Sequence, residues 1–197
     1  MHTLDFYWDF SSPYAYLGSA EARAVADRTG ALLRSNPMLL GAVFRAVGQV
    51  DAPVLSWSEA KRRHTMLDMD RWASFWNVPF KFPTRFPMSS VKALRTYLAL
   101  PEALRDAFRA ATFEAYWAHD EDIANEDVLR RLVERVGGDA PKTLEAIGTQ
   151  AIKDRLFACT DAAVKRGVFG APTWIVDDGE LYWGQDRLSL VERALSK

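Results

Sequence analysis

The sequence predicts an α/β domain assembled from both ends of the chain, with an all-helical domain inserted between them. Three observations carry this expectation: strand, helix and strand patterns follow one another within the first 40 residues; strand signals vanish from Gly41 to Thr160; and they return after Gly167. The expected boundaries are 1–40 with 160–197 for the α/β domain and 41–159 for the insertion.

Residues 3–10 are rich in aromatic and β-favouring side chains, with Leu4, Phe6 and Trp8 on one face, which reads as a strand. It stops at Ser11-Ser12-Pro13. A serine before proline starts a helix, because the hydroxyl accepts from an orphan N–H and proline gives up a donor that had no partner. The helix is expected to run to Gly30, a C-cap, and a second strand to cover 32–39, completing a βαβ unit. Helices separated by Pro and Gly follow at 58–76, 89–100, 102–117, 126–136 and 149–166. Two short strands, 172–176 and 180–183, are joined by the turn signal Asp178-Gly179, and a last helix begins near Asp186.

At 197 residues the chain can bury roughly 70% of its unfolded surface, so no disulfide or metal staple is required. The single cysteine, Cys159, allows neither an intrachain disulfide nor a CxxC redox centre. Lys plus Arg number 25 against 26 Asp plus Glu, a net charge of −1 that lacks the basic excess of nucleic-acid binders. The N-terminal MHTLDFYWDF places Asp5 and Asp9 where a secretory signal would be apolar, so a cytoplasmic location is expected. No apolar run approaches the roughly 18 residues of a membrane span, and no membrane partner is expected. Seven Trp, six Tyr and eleven Phe suit either a large core or a site lined for a flat organic ligand.

Three segments carry chemistry together: WDFSSPYAYLG from Trp8, VFGAPTW from Val168 and YWGQDRL from Tyr182. In order and spacing they resemble the 2-hydroxychromene-2-carboxylate isomerase family, kin of kappa-class glutathione transferases in the DsbA-like branch of thioredoxin folds. The resemblance spans essentially the whole chain. It implies a thioredoxin-like domain with the helical insertion, glutathione as cofactor, and cis/trans isomerisation of an aromatic carboxylate in aromatic hydrocarbon breakdown. Kappa-like transfer of glutathione to other electrophiles and a silent thiol- or peptide-binding module are the alternatives. A homodimer is expected on the same analogy. Disulfide exchange is excluded by the missing cysteines.

By that resemblance, Ser12 stands where redox relatives carry a nucleophilic cysteine. A helix start offers free N–H groups and about half a positive charge to an anion, so Ser12 can hold the sulfur of bound glutathione as thiolate. The bland alternative for Ser12 is N-capping alone. Lowering a thiol pKa from ~8.5 to ~6.5 raises the thiolate from ~3% to ~76% at pH 7, while weaker basicity returns about tenfold in nucleophilicity. The net gain is only ~2.5-fold, so positioning and oxyanion stabilisation must supply most of the rate.

Ala171-Pro172 matches the family's cis-proline loop, which presents main chain to the cysteinyl part of glutathione. Trp183, Gly184, Gln185 and Asp186 match the segment that holds the γ-glutamyl end, with Asp186 facing the ammonium and Gln185 supplying amide bonds; Asp186 capping the final helix is the alternative. Residues 39–49 resemble a loop facing both ligands, with Gln49 where the family commonly has Asn. By that resemblance Phe44 stands at the position of the isomerases' substrate lysine, which leaves Arg45 as the candidate grip on a carboxylate or as a surface arginine on a short helix. Lys61 aligns with a lysine near the glutathione entrance but sits in the basic run Lys61-Arg62-Arg63-His64, which also reads as a solvated face. Phe86 stands where some isomerases have a substrate-contacting tyrosine, and either stacks on substrate or belongs to the core. His119 to Asp122 lack metal-ligand spacing, so no metal is assigned.

Overall fold

The computed structural model describes residues 1–50 and 56–197. The strand β1 (Thr3–Trp8) leads into helix α1 (Pro13–Thr29) and back into β2 (Leu32–Pro37), parallel to β1. Gly30 ends α1 in the left-handed region at φ 67°, as a C-cap glycine does. The chain then passes through α2 (Leu40–Ala46), α3 (Glu59–Phe75), α4 (Val91–Ala99), α5 (Glu102–Trp117), α6 (Glu126–Arg135), α7 (Ala140–Ala146) and α8 (Gln150–Lys165). The antiparallel pair β3 (Thr173–Val176) and β4 (Glu180–Trp183) returns to the sheet, whose order is β2-β1-β3-β4. Helix α9 (Leu188–Leu195) closes the fold. No described helix is long and apolar enough to cross a membrane.

Alternation along β1 sorts its side chains to two faces. Leu4, Phe6 and Trp8 are fully buried on one, where Phe6 stacks on its cross-strand partner Trp174 with ring centroids 4.4 Å apart. Trp8 continues into Phe10 and Phe113 of α5, so the inserted helices share an aromatic core with the sheet. Asp5 and Tyr7 point the other way and receive Arg166 at the end of α8, at 2.8 and 3.0 Å. That buried carboxylate is acceptable because it is paired. The helix α8 crosses position 160 without a break, and its Thr160 hydroxyl accepts from the Leu39 N–H at 3.0 Å.

Four local expectations need correction. Residues 40–46 form a helix rather than a loop, and Ala140–Ala146 form one that periodicity did not reveal; both are only two turns long, too short to display a pattern. The hairpin turn is centred one residue earlier, with Asp177 and Asp178 at positive φ (48° and 61°) and the Gly179 N–H bonded to the Val176 carbonyl. The last helix starts at Leu188 after a 3-10 turn, Gln185–Arg187.

Candidate active site

Ser12 caps α1 in extended conformation, its Oγ accepting from the Ala15 N–H at 3.1 Å, with Pro13 opening the helix. The capping reading of Ser12 therefore holds, and its hydroxyl does more. It donates to the Ala171 carbonyl at 3.0 Å in a buried bond between residues far apart in sequence. The Ala171-Pro172 peptide bond is cis. Helix start and proline loop thus form one unit.

The third segment is tied to the same unit. The Gly184 N–H donates to the Pro172 carbonyl at 3.0 Å, and the Trp174 indole N–H donates to the Gly184 carbonyl at 3.0 Å. Gly184 has φ 112°, and a Cβ there would lie 2.5 Å from Asp186 Oδ1, so only glycine fits the bend that exposes the carboxylate. One turn into α1, a Cβ on Gly18 would meet Trp174 at 3.0 Å, Gln185 at 3.4 Å and Pro172 at 3.5 Å. The absent side chain lets the helix approach all three. Gln185 is buried, whereas Trp183 is half exposed and leans on Phe169 with centroids 5.2 Å apart.

Asp186 does not cap a helix: neither the 3-10 turn nor α9 has a side-chain cap. Its exposed carboxylate meets the neighbouring Arg187 guanidinium at 3.3 Å. It also faces Tyr14, two residues after Ser12, whose hydroxyl is pushed up to about 12 by burial first and then by the charges of Asp68 and Asp186. Asp68 on α3 lies beside the Tyr14 hydroxyl and favours its protonated form. Sequence reading missed this pair, because nothing local links residue 14 to residue 68.

The structure brings Ser12, Ala171, Pro172, Trp183, Gly184, Gln185 and Asp186 into one cluster. The other candidates lie on other elements. Phe44 is half-buried against the core on α2; Arg45 and Gln49 are exposed, and the Gln49 N–H closes onto the Phe44 carbonyl at 2.8 Å. Lys61 is exposed in the first turn of α3, its ammonium 4.7 Å above the Trp57 ring. Phe86 is half-buried, 5.1 Å from Phe82 and 6.0 Å from Trp117, and precedes a second cis proline, Pro87. Trp117 in turn donates its indole N–H to the Phe10 carbonyl at 2.8 Å, which connects the Phe86 loop to the segment before Ser12.

Two minor candidates have structural partners. Asp120 accepts from the Thr84 N–H and hydroxyl, bonds that hold its carboxyl below the usual range. The Cys159 thiol is pushed up by burial, which disfavours the reactive thiolate. Among the described residues no cluster of His, Cys, Asp and Glu has the makings of a metal site.

Comparison with known proteins agrees with this geometry. The profile of the DSBA-like thioredoxin domain matches residues 3–196. A 2-hydroxychromene-2-carboxylate isomerase of Sphingobium xenophagum is 33% identical over 98% of this chain and 97% of its own. The solved structure of a 2-hydroxychromene-2-carboxylate isomerase superposes with a TM-score of 0.89 at 29% identity, covering 98% of this chain and 94% of its own. The kappa 1 glutathione S-transferase of Rattus norvegicus is 26% identical over 98% of this chain and 91% of its own. The chain belongs to the DsbA-like thioredoxin-domain proteins and, within them, to the 2-hydroxychromene-2-carboxylate isomerase family.

Proposed function

We propose that this protein is a glutathione-dependent cis/trans isomerase of 2-hydroxychromene-2-carboxylate or a related aromatic carboxylate, working in aromatic hydrocarbon catabolism as a cytoplasmic homodimer. The observation that carries the reading is the Ser12 hydroxyl, buried at the first turn of α1 against the Ala171 carbonyl, with the exposed carboxylate of Asp186 in the same cluster. The donor set fits glutathione. A helix start with a hydroxyl suits a sulfur anion, main chain at Ala171 suits a peptide, and Asp186 suits an ammonium.

When bound, glutathione supplies a thiolate that can add reversibly to a conjugated double bond. The roles of the chain follow from its own groups. Ser12 presents a hydroxyl that can turn from the Ala171 carbonyl toward an anion, and the α1 N–H groups add their partial charge. Asp186, Gln185 and Trp183 hold the distant end, so the binding energy of the tripeptide is used to place its reactive atom. On the substrate side, Phe86 offers a ring face and Arg45 a guanidinium for a carboxylate.

A second reading follows from the resemblance, by which Phe44 stands where the isomerases carry a substrate lysine: its half-buried, apolar side chain suits an electrophile without a carboxylate and hence kappa-like transfer. Assaying hydroxychromene carboxylate and a chlorodinitrobenzene-type electrophile in parallel, with and without glutathione, separates the two. Isomerisation only in the presence of glutathione is expected; isomerisation unaffected by its omission contradicts the proposal.

A further inference from the structure

Asp9 lies three residues before Ser12 and is fully buried, with no basic side chain among the described residues bonded to it. Its oxygens are nevertheless well used. Oδ1 accepts from the Ser11 N–H at 3.0 Å and Oδ2 accepts from the Leu40 N–H at 2.7 Å, while the hydroxyls of Ser11 and Ser90 favour its charged form. Its own carbonyl receives the Ser12 N–H at 3.1 Å. These partners belong to three separate elements: the turn into α1, the start of α2 and the start of α4.

Asp9 meets the start of each outlying helix. The N-cap of α2, Leu39, has no side chain able to accept, and Asp9 takes the first N–H of that helix in its place. The N-cap of α4, Ser90, makes no capping bond, and its buried hydroxyl favours the charge of Asp9 instead. Helix α2 carries Phe44 and Arg45, and Ser90 follows the Phe86-Pro87 loop by three residues. Burying a lone carboxyl is costly, so a cheaper apolar residue would serve if packing were the only need. Burial pushes this carboxyl up, and its hydrogen bonds offset part of that cost.

We infer that Asp9 is a positioning residue: one side chain fixes the distance between the Ser12 cradle and both segments carrying the substrate-side candidates, Phe44 with Arg45 and Phe86. The inference rests on the proposed function, because it assigns those two sides to cofactor and substrate. A displacement of about 1 Å between reacting groups can cost about 100-fold in rate, so such a tether acts on turnover more than on affinity.

Two substitutions test it. Asp9→Asn turns an NH2 toward one of the two backbone N–H groups and breaks that tether, leaving the other acceptor in place. Ser90→Ala removes only the hydroxyl that α4 turns toward the Asp9 charge. Glutathione affinity and site number are measured by calorimetry, folding by circular dichroism, and kcat per titrated site with whichever electrophile the unaltered protein turns over. Asp9→Asn is expected to lower kcat per site about tenfold or more and Ser90→Ala about threefold, with the glutathione Kd within about twofold in both. A role confined to stability would lower the number of active sites and leave kcat per site unchanged, and that result overturns the inference. Where Asp9→Asn does not fold, Ser90→Ala decides by the same criterion. Failure of the functional reading looks different: the unaltered protein itself would neither bind glutathione nor turn over.

Discussion

At the scale of single residues, Ser12 was legible because its signal is local. A hydroxyl before proline at a strand end announces a helix cap whatever the rest of the chain does. Its second bond, to the Ala171 carbonyl, was not legible, and neither were the Tyr14–Asp68 contact or the tethers of Asp9, since each joins residues from distant parts of the chain. The charge of Asp9 within the apolar run from Phe6 to Phe10 was the only hint. For Ser12→Ala the account expects a loss in kcat/KM of about 10- to 100-fold, the value of one hydrogen bond of about 1.5–3 kcal/mol to a charged acceptor. Stability should fall by about 1 kcal/mol from the missing cap, measured by chemical denaturation. Undiminished glutathione-dependent turnover would remove the hydroxyl from the mechanism.

Elements were readable in proportion to their length. Helix α5 and strand β4 begin and end where the pattern placed them, and α1 differs only by its cap, because periodicity and termini agree there. Helix α2 was legible only as an alternative for Arg45: it is two turns long and its first N–H is satisfied by a side chain 31 residues away rather than by its own cap. The packing of α1 on the proline loop gives an element-scale test at Gly18. Alanine at a helix interior normally gains roughly 1 kcal/mol over glycine. Here its Cβ would press on Trp174 at 3.0 Å and on Gln185 at 3.4 Å. Gly18→Ala is therefore expected to weaken glutathione binding several-fold in calorimetry despite its better helix propensity; unchanged affinity would show that the approach of α1 to this segment does not matter to the site.

For the molecule as a whole, composition and the order of patterns sufficed to foresee an α/β unit made from both chain ends. What they could not supply was how the insertion meets the sheet. That contact runs through Trp8, Phe10, Phe113 and Trp117, aromatic side chains that look alike in sequence whether they line a core or a ligand. The same packing has a consequence at high pH. Burial is the leading cause that pushes the Tyr14 and Tyr16 hydroxyls up to about 12, against about 10 in an unfolded chain. The folded state then keeps phenolic protons that the unfolded state releases, so this contribution to stability is complete below pH about 10 and is lost as the pH rises toward about 12. Melting temperatures measured from pH 9 to 11.5 should fall with rising pH, and replacing both tyrosines by phenylalanine should flatten the fall. An equally steep fall in the double variant would assign the effect to other groups.

The most direct test is a crystal structure with glutathione bound. The account expects the cysteinyl sulfur within hydrogen-bond reach of Ser12 Oγ, about 3.5 Å, with the γ-glutamyl ammonium at Asp186. A tripeptide bound with its sulfur away from the first turn of α1 would contradict it.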